Sequence, residues 1–170
     1  MRSVLDQYEG QLIRYASRLT GNPDRARDVV QDTFLRLCEK ERAKIEPHLA
    51  EWLFTVCRNR AFDVQRKESR MSPLTDAQIA TTETNDPSPA VTAEKNETAN
   101  QVSAALESLP ANQQEVIRLK FQNGLSYKEI SSITKLSASN VGFLIHTGIK
   151  TLRHHLVNEP RMGFAATKKA

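Results

Sequence analysis

Wound as a helix, residues 55–66 place Thr55, Arg58, Asn59, Phe62 and Arg66 on one polar arc, an aromatic ring interleaved with cations and an amide. That mixture suits unpaired nucleic-acid bases, because bases stack on aromatic faces while guanidinium groups hold the phosphates. Phe62 could equally be an apolar ring covered by a neighbouring segment, whereas Trp52 falls on the opposite, apolar arc and belongs with a core.

A second constellation lies at residues 125–156, LSYKEISSITKLSASNVGFLIHTGIKTLRHHL, which reads as two short helices separated by a tight turn. Leu125, Ile130 and Ile133 face inward on the first, Ser126 caps it with Glu129 three residues later, and Leu136 sits in the turn. Ser137 caps the second helix. Val141, Leu144, Ile145, Gly148, Ile149, Leu152 and Leu156 share one arc of that helix, and Ser139, Phe143, His146, Thr147, Lys150 and Arg153 occupy the other. A helix-turn-helix of this kind lays its second helix in the DNA major groove.

Catalytic chemistry finds no foothold. No Ser/His/Asp set, carboxylate pair, phosphate-binding glycine loop or metal-ligand cluster can be assembled, and His48, His146, His154 and His155 lack an evident catalytic partner. The expectation is a protein that is not an enzyme and carries no metal or cofactor. A further surface stands out on the pattern of residues 22–39, where Asp28, Gln31, Asp32 and Glu39 oppose the apolar arc and Leu35 points out among them. A leucine ringed by acids fits a partner offering an apolar pocket with a basic border.

The elements that must carry these groups are all helical in period. Leu5, Tyr8, Leu12, Tyr15, Ala16 and Leu19 predict a helix from about Val4 to Leu19, stopped by Gly21. Asn22 as N-cap, Pro23 and Asp24 open the next, which runs to about Glu39 with Ala26, Val29, Val30, Thr33, Phe34 and Leu37 inside. After Pro47, the residues Leu49, Trp52, Leu53, Val56, Cys57, Ala61 and Val64 form the apolar side of a third. Residues 71–95 contain three prolines and few apolar side chains, so they form a linker that cannot fold alone. Beyond it Val102, Ala105, Leu106 and Leu109 mark one helix, and Val116, Ile117, Leu119 and Phe121 another, ahead of the helix-turn-helix. The tail, 158–170, has no period and should be disordered.

The fold class is therefore all-α, with two small helical domains, 1–70 and 96–157, joined by a flexible linker. The chain of 170 residues, 39% apolar and 26% charged, is long enough for them. No stretch reaches the ~20 apolar residues of a membrane span, and the N-terminal MRSVLDQYEGQ lacks a signal-peptide core, which places the protein in the cytoplasm with no membrane insertion. Cys38 and Cys57, on or at the edge of apolar arcs, should be buried free thiols. Net charge is +4, yet residues 71–100 hold Asp76, Glu83, Asp86, Glu94 and Glu97 against Lys95 alone, so the lobes on either side are more basic than the total suggests. Basic lobes joined by an acidic strap point to a nucleic-acid partner.

Taken together, NPDRARDVVQDTFLRLCE, WLFTVCRNRAFDVQRK, SLPANQQEVIRLKF and GLSYKEISSITKLSASNVGFLIHTGIKTLR resemble a bacterial sigma factor of the sigma-70 family, extracytoplasmic-function (ECF) group, over about residues 3–157. The resemblance implies a promoter-melting domain, a domain for the upstream promoter element, and core RNA polymerase and promoter DNA as partners, with an anti-sigma protein as a further one. It implies that Asp28, Gln31, Asp32 and Leu35 dock on core polymerase and that Arg58, Asn59, Phe62, Gln65, Arg66 and Lys67 hold the opened minus-ten strand. Tyr127, Lys128, Ser139, Asn140, Phe143, His146, Thr147 and Lys150 would face duplex DNA, and the acidic linker would thread toward the polymerase active-site channel.

Two departures stand out. Gly142, Phe143, Leu144 and Thr147 occupy places where the family's recognition helix carries cations, leaving Lys150 and Arg153, and Lys135 stands in a turn where glycine is usual. Two other readings fit the residues: a DNA-binding regulator that uses the C-terminal module alone, and an interaction module that binds polymerase or an anti-sigma protein without opening DNA.

Overall fold

The computed structural model describes residues 2–71 and 93–158. In order these form α1 (Arg2–Thr20), α2 (Pro23–Cys38), the single turn α3 (Arg42–Ile45) running into a 3₁₀ turn at Glu46–His48, α4 (Leu49–Met71), α5 (Ala93–Glu107), α6 (Ala111–Phe121), α7 (Tyr127–Thr134) and α8 (Ala138–Asn158). Among the described residues there is no strand. Most of the expected linker and the expected tail lie outside the described residues, although Ala93, Glu94 and Lys95, assigned to the linker, begin α5.

Helices α1, α2 and α4 form the first bundle. Its core is Leu12, Ala16, Ala26, Val29, Leu53, Phe54, Cys57 and Ala61, each with almost no exposed surface. The Tyr15 ring meets Phe54 edge-on, with centroids 5.3 Å apart. Burying each of the large side chains contributes about 1.5–3 kcal/mol. The ends of the elements obey local chemistry. Asn22 accepts from the backbone of Asp24 and Arg25 with Pro23 in the first turn, and Gly21, at φ 65°, takes the left-handed conformation that lets its N–H donate back to the Ser17 carbonyl.

In the second bundle, Leu106 and Leu109 of α5, Val116, Ile117 and Leu119 of α6, Leu125, Ile130 and Ile133 around α7, and Val141, Leu144 and Ile145 of α8 make the core. The capping box at Ser126 and Glu129 is complete, and Ser137 accepts from the Asn140 backbone. The bundles are not separate: α4 packs along α7, and α1 reaches α6 through polar side chains.

Several apolar positions lie further out than their periodicity suggests. Leu156, 41% exposed, sits on the last turns of a helix far longer than the eight-residue α7 it packs on, and overhangs its partners. Val102 is at the outer part of α5, and Phe121, 63% exposed, is the last residue of α6. Trp52 lies at the rim of the core rather than within it. Cys57 is buried as expected, and burial pushes its thiol up to about 12. Cys38 is exposed instead, because α2 ends there, past the last core contact at Leu37.

Lys135 closes α7 in the left-handed region, at φ 64° and ψ 20°. A side chain there costs on the order of 1 kcal/mol, part of which glycine returns to the unfolded chain as entropy. Lys135→Gly should therefore raise the melting temperature by about 1–3 °C, read by thermal denaturation.

Candidate nucleic-acid interface

Helix α4 is 23 residues long, and its core face against α1 and α2 leaves the polar arc turned outward. On that arc the Arg58 guanidinium carbon lies 4.6 Å from the Phe62 ring centroid, so cation and ring are stacked. Phe62 is half-buried beneath it, while Asn59, Arg66 and Lys67 are exposed. Arg66 is loosely paired with Asp63 at 3.7 Å. Gln65 is spent differently: its amide donates to the Leu19 carbonyl and ties α4 to α1. Arg58, Asn59, Phe62 and Arg66 thus follow one side of α4, with Arg58 largely covered, Lys67 is exposed further round the helix, and Gln65 serves the bundle.

Arg58 also has a partner that its own helix does not supply. Its Nε donates to Glu115 Oε1 at 2.8 Å and its Nη2 to Oε2 at 3.3 Å, while the Tyr15 hydroxyl donates to the same Oε1 at 2.6 Å. Burial alone would lower the Arg58 pKa, but the hydrogen bonds and charge of Glu115 outweigh it and the group is held above its ordinary value. Burial, then Glu115, pushes the Tyr15 hydroxyl well up. The ridge is closed off at one end by a carboxylate from α6.

On α2 the residues Asp28, Gln31 and Leu35 are exposed, Leu35 to 59%. Beside Leu35 runs a groove of about 400 Å³ lined by Leu5, Ile13, Phe34 and Cys38 among others. Asp32 is only half-exposed, held by Arg60 Nε at 2.7 Å. On α8, Ser139, Asn140, Phe143, His146 and Lys150 all face outward, Phe143 to 63%. Thr147 turns back, its hydroxyl bonded to the Phe143 carbonyl and within reach of Gln113. The departure at Leu144 is structural, since that residue is buried. Lys128 and Tyr127 are exposed on α7, with Lys120 Nζ 5.2 Å from the Tyr127 ring centroid and Gly142 of α8 next to that ring.

Two family models match the chain, sigma-70 region 2 over residues 4–71 and sigma-70 region 4 over residues 99–152. An ECF RNA polymerase sigma factor of Mycobacterium tuberculosis, SigL, is 30% identical over 158 residues, which is 90% of this chain and 86% of that one. The chain belongs to the sigma-70 family, ECF group. The resemblance stated from its motifs is therefore correct, and the protein is a factor that directs promoter-specific transcription initiation. SigM of Bacillus subtilis is 29% identical across 92% of this chain and 96% of its own. In fold, the sigma factor RpoE of Bartonella quintana, solved in complex with the anti-sigma factor NepR, superposes with a TM-score of 0.62 at 22% identity, covering 94% and 98% of the two chains.

Within this sigma factor, α1 to α4 correspond to the region 2 match, and the region 4 match begins within α5, takes in α6 and α7 and ends within α8. The residues that sequence reasoning missed are Glu115, Tyr15 and Arg60. Glu115 stands 57 positions from Arg58, and nothing local to α6 distinguishes it from a solvated acid. Tyr15 has the spacing of a core residue, which it is, and only its hydroxyl reaches the site.

Proposed function

We propose that α2 docks this sigma factor on core RNA polymerase through Leu35, Asp28, Gln31 and Asp32, that the α4 ridge holds the opened promoter strand, and that the outer face of α8 reads the upstream duplex. It catalyses no reaction itself; the polymerase does, and the work is done in the cytoplasm, where polymerase and promoter are. The observation that carries the reading is the Arg58–Phe62 stack beside exposed Asn59, Arg66 and Lys67: a ring whose face an extruded base would take as the Arg58 guanidinium swings aside, with cations placed for the flanking phosphates. Arrangements of this kind offset the cost of unstacking the promoter.

Duplex reading is apolar in character here, since Phe143 and not a cation occupies the centre of the exposed face. Few phosphate contacts imply a shallow salt dependence and a modest affinity for the upstream element. The alternative of a DNA-binding regulator that uses the C-terminal module alone finds no support in the region 2 match. Among the described residues no helix is long and apolar enough to cross a membrane.

The deciding assay is run-off transcription with bacterial core polymerase on promoter fragments from the source genome, with and without the protein. Transcripts of defined start that need the protein support the reading, and absence of any core binding ends it. The Glu115 clasp adds an expectation. With Arg58 held by Glu115, the strand-binding ridge is incomplete until α6 withdraws. Glu115→Gln loses a charge-assisted bidentate pair worth about 1.5–3 kcal/mol, so binding of labelled single-stranded oligothymidine should tighten by about 10-fold, with Glu107→Gln unchanged. Fluorescence anisotropy reads the first effect, and small-angle scattering should show a larger radius of gyration for Glu115→Gln.

A further inference from the structure

Between α1 and α6 lies a cavity of about 120 Å³ whose walls include Arg14 and Arg18 from one bundle and Arg118 from the other. The acid on its lining, Glu115, is already committed to Arg58 and Tyr15. Arg118 is the unusual member. It is only 7% exposed, its Nε has no hydrogen-bond partner, and among the described residues it forms no ion pair. Burial and then the charge of Arg18 push the Arg118 pKa down to about 10, with Glu107 opposing at longer range. Arg18 is lowered for the same reasons, by burial first and then by Arg14. A guanidinium taken out of water beside another cation, and left without a partner, is a cost the fold leaves uncompensated.

We propose that this cleft is a binding site for a small phosphate oxyanion, held by Arg14 and Arg18 of α1 and by Arg118 of α6. Three guanidinium groups match the chemistry: each offers planar N–H donors that pair with phosphate oxygens, and none can neutralise itself by losing a proton near neutral pH. The volume admits a phosphate or pyrophosphate group, and a nucleoside attached to it would remain outside at the open side of the cleft, near Gln122. Because the arginines come from both bundles, the anion binds the closed arrangement alone and stabilises it by mass action. The proposal rests on the contact between the bundles and is independent of the roles assigned to α2, α4 and α8.

Titration calorimetry on the full chain, without Mg²⁺ and at constant ionic strength, tests it with inorganic phosphate, pyrophosphate and ATP as probes. Saturable binding of one anion per chain is expected, weakened by about 10-fold or more in Arg18→Gln and in Arg118→Gln and unchanged in Arg27→Gln, whose guanidinium pairs with Asp24 elsewhere on the surface. Arg14→Gln and Arg18→Gln change exposed residues, so they decide the matter even where Arg118→Gln fails to fold. ATP binding more tightly than pyrophosphate identifies a nucleotide as the source of the phosphate, and equal binding identifies the free anion. Heats that never saturate, or that fall equally in Arg27→Gln, show general attraction to a basic protein and overturn the proposal. So does binding that appears only after Glu83, Asp86 and Glu94 are changed to their amides, because the chain's own acidic segment would then be the occupant.

Discussion

Leu35→Asp should remove stable binding to core RNA polymerase, with an affinity loss of at least 30-fold and no loss of fold. Leu35 is 59% exposed at the edge of an apolar groove and lies outside the buried core, so the substitution leaves the core of the first bundle intact. Its neighbours Asp28 and Gln31 are also exposed, and Asp32 is oriented by Arg60. An apolar anchor ringed by acids is an arrangement in which one side chain carries much of the association energy, about 2 kcal/mol or more on truncation. The substitution goes further than truncation, since it also forces a carboxylate into the partner's apolar pocket. Surface plasmon resonance with immobilised core, together with an unchanged melting temperature, gives the result. Retained core binding in Leu35→Asp would move the docking surface away from α2.

Phe62→Ala should leave core binding within about twofold while reducing open-complex formation by about 10- to 100-fold, which corresponds to the 1–3 kcal/mol typical of one base stacked on an aromatic ring. Permanganate reactivity of unpaired thymines separates melting from recruitment. Phe62→Trp should restore most of the activity, because a larger ring keeps the stacking face, whereas Phe62→Leu, which keeps apolar bulk without a π face, should not. The half-burial of Phe62 beneath Arg58 also means that Phe62→Ala frees the guanidinium from its stack. An Arg58→Ala variant, which loses the cation and keeps the ring, apportions the two contributions.

On the proposed reading, docking through α2 needs nothing from the second bundle, because Leu35, Asp28 and Gln31 are already exposed. The ridge on α4 becomes complete only when Glu115 lets Arg58 go, so the polymerase that draws α6 to α8 toward the upstream element would also uncover the strand-binding end. A single carboxylate shared by Arg58 and Tyr15 would, on that reading, tie the binding of one promoter element to the exposure of the surface for the other.

Much of this was legible in the residues. The caps at Asn22 and Ser126 are local chemistry, dictated by side chains within three positions of the groups they satisfy, and both are formed. The left-handed turn at Lys135 follows from its place in the tight turn between α7 and α8 and is observed despite the missing glycine. Leu35 and the α4 arc follow from a period of 3.6 residues, since whatever lies opposite a core face has nowhere to go but outward. Periodicity fails where a helix outruns its partners. Leu156, Phe121 and Cys38 carry apolar positions past the last neighbour that could cover them, and a repeat within one helix holds no information about where the next one ends.

The amino-acid sequence by itself determined the helices, their caps, their buried faces and the family, because each rests on interactions between residues a few positions apart or on motifs read in order. Only the tertiary structure decided that Glu115 closes on Arg58 and Tyr15, that Gln65 is consumed by the Leu19 carbonyl, and that Arg118 is buried beside Arg18 without an acid to meet it. Those are meetings between charged or polar groups 46 to 100 positions apart. Such groups have no period and no fixed spacing, and their energies depend on the burial that only the packing of one bundle against the other creates.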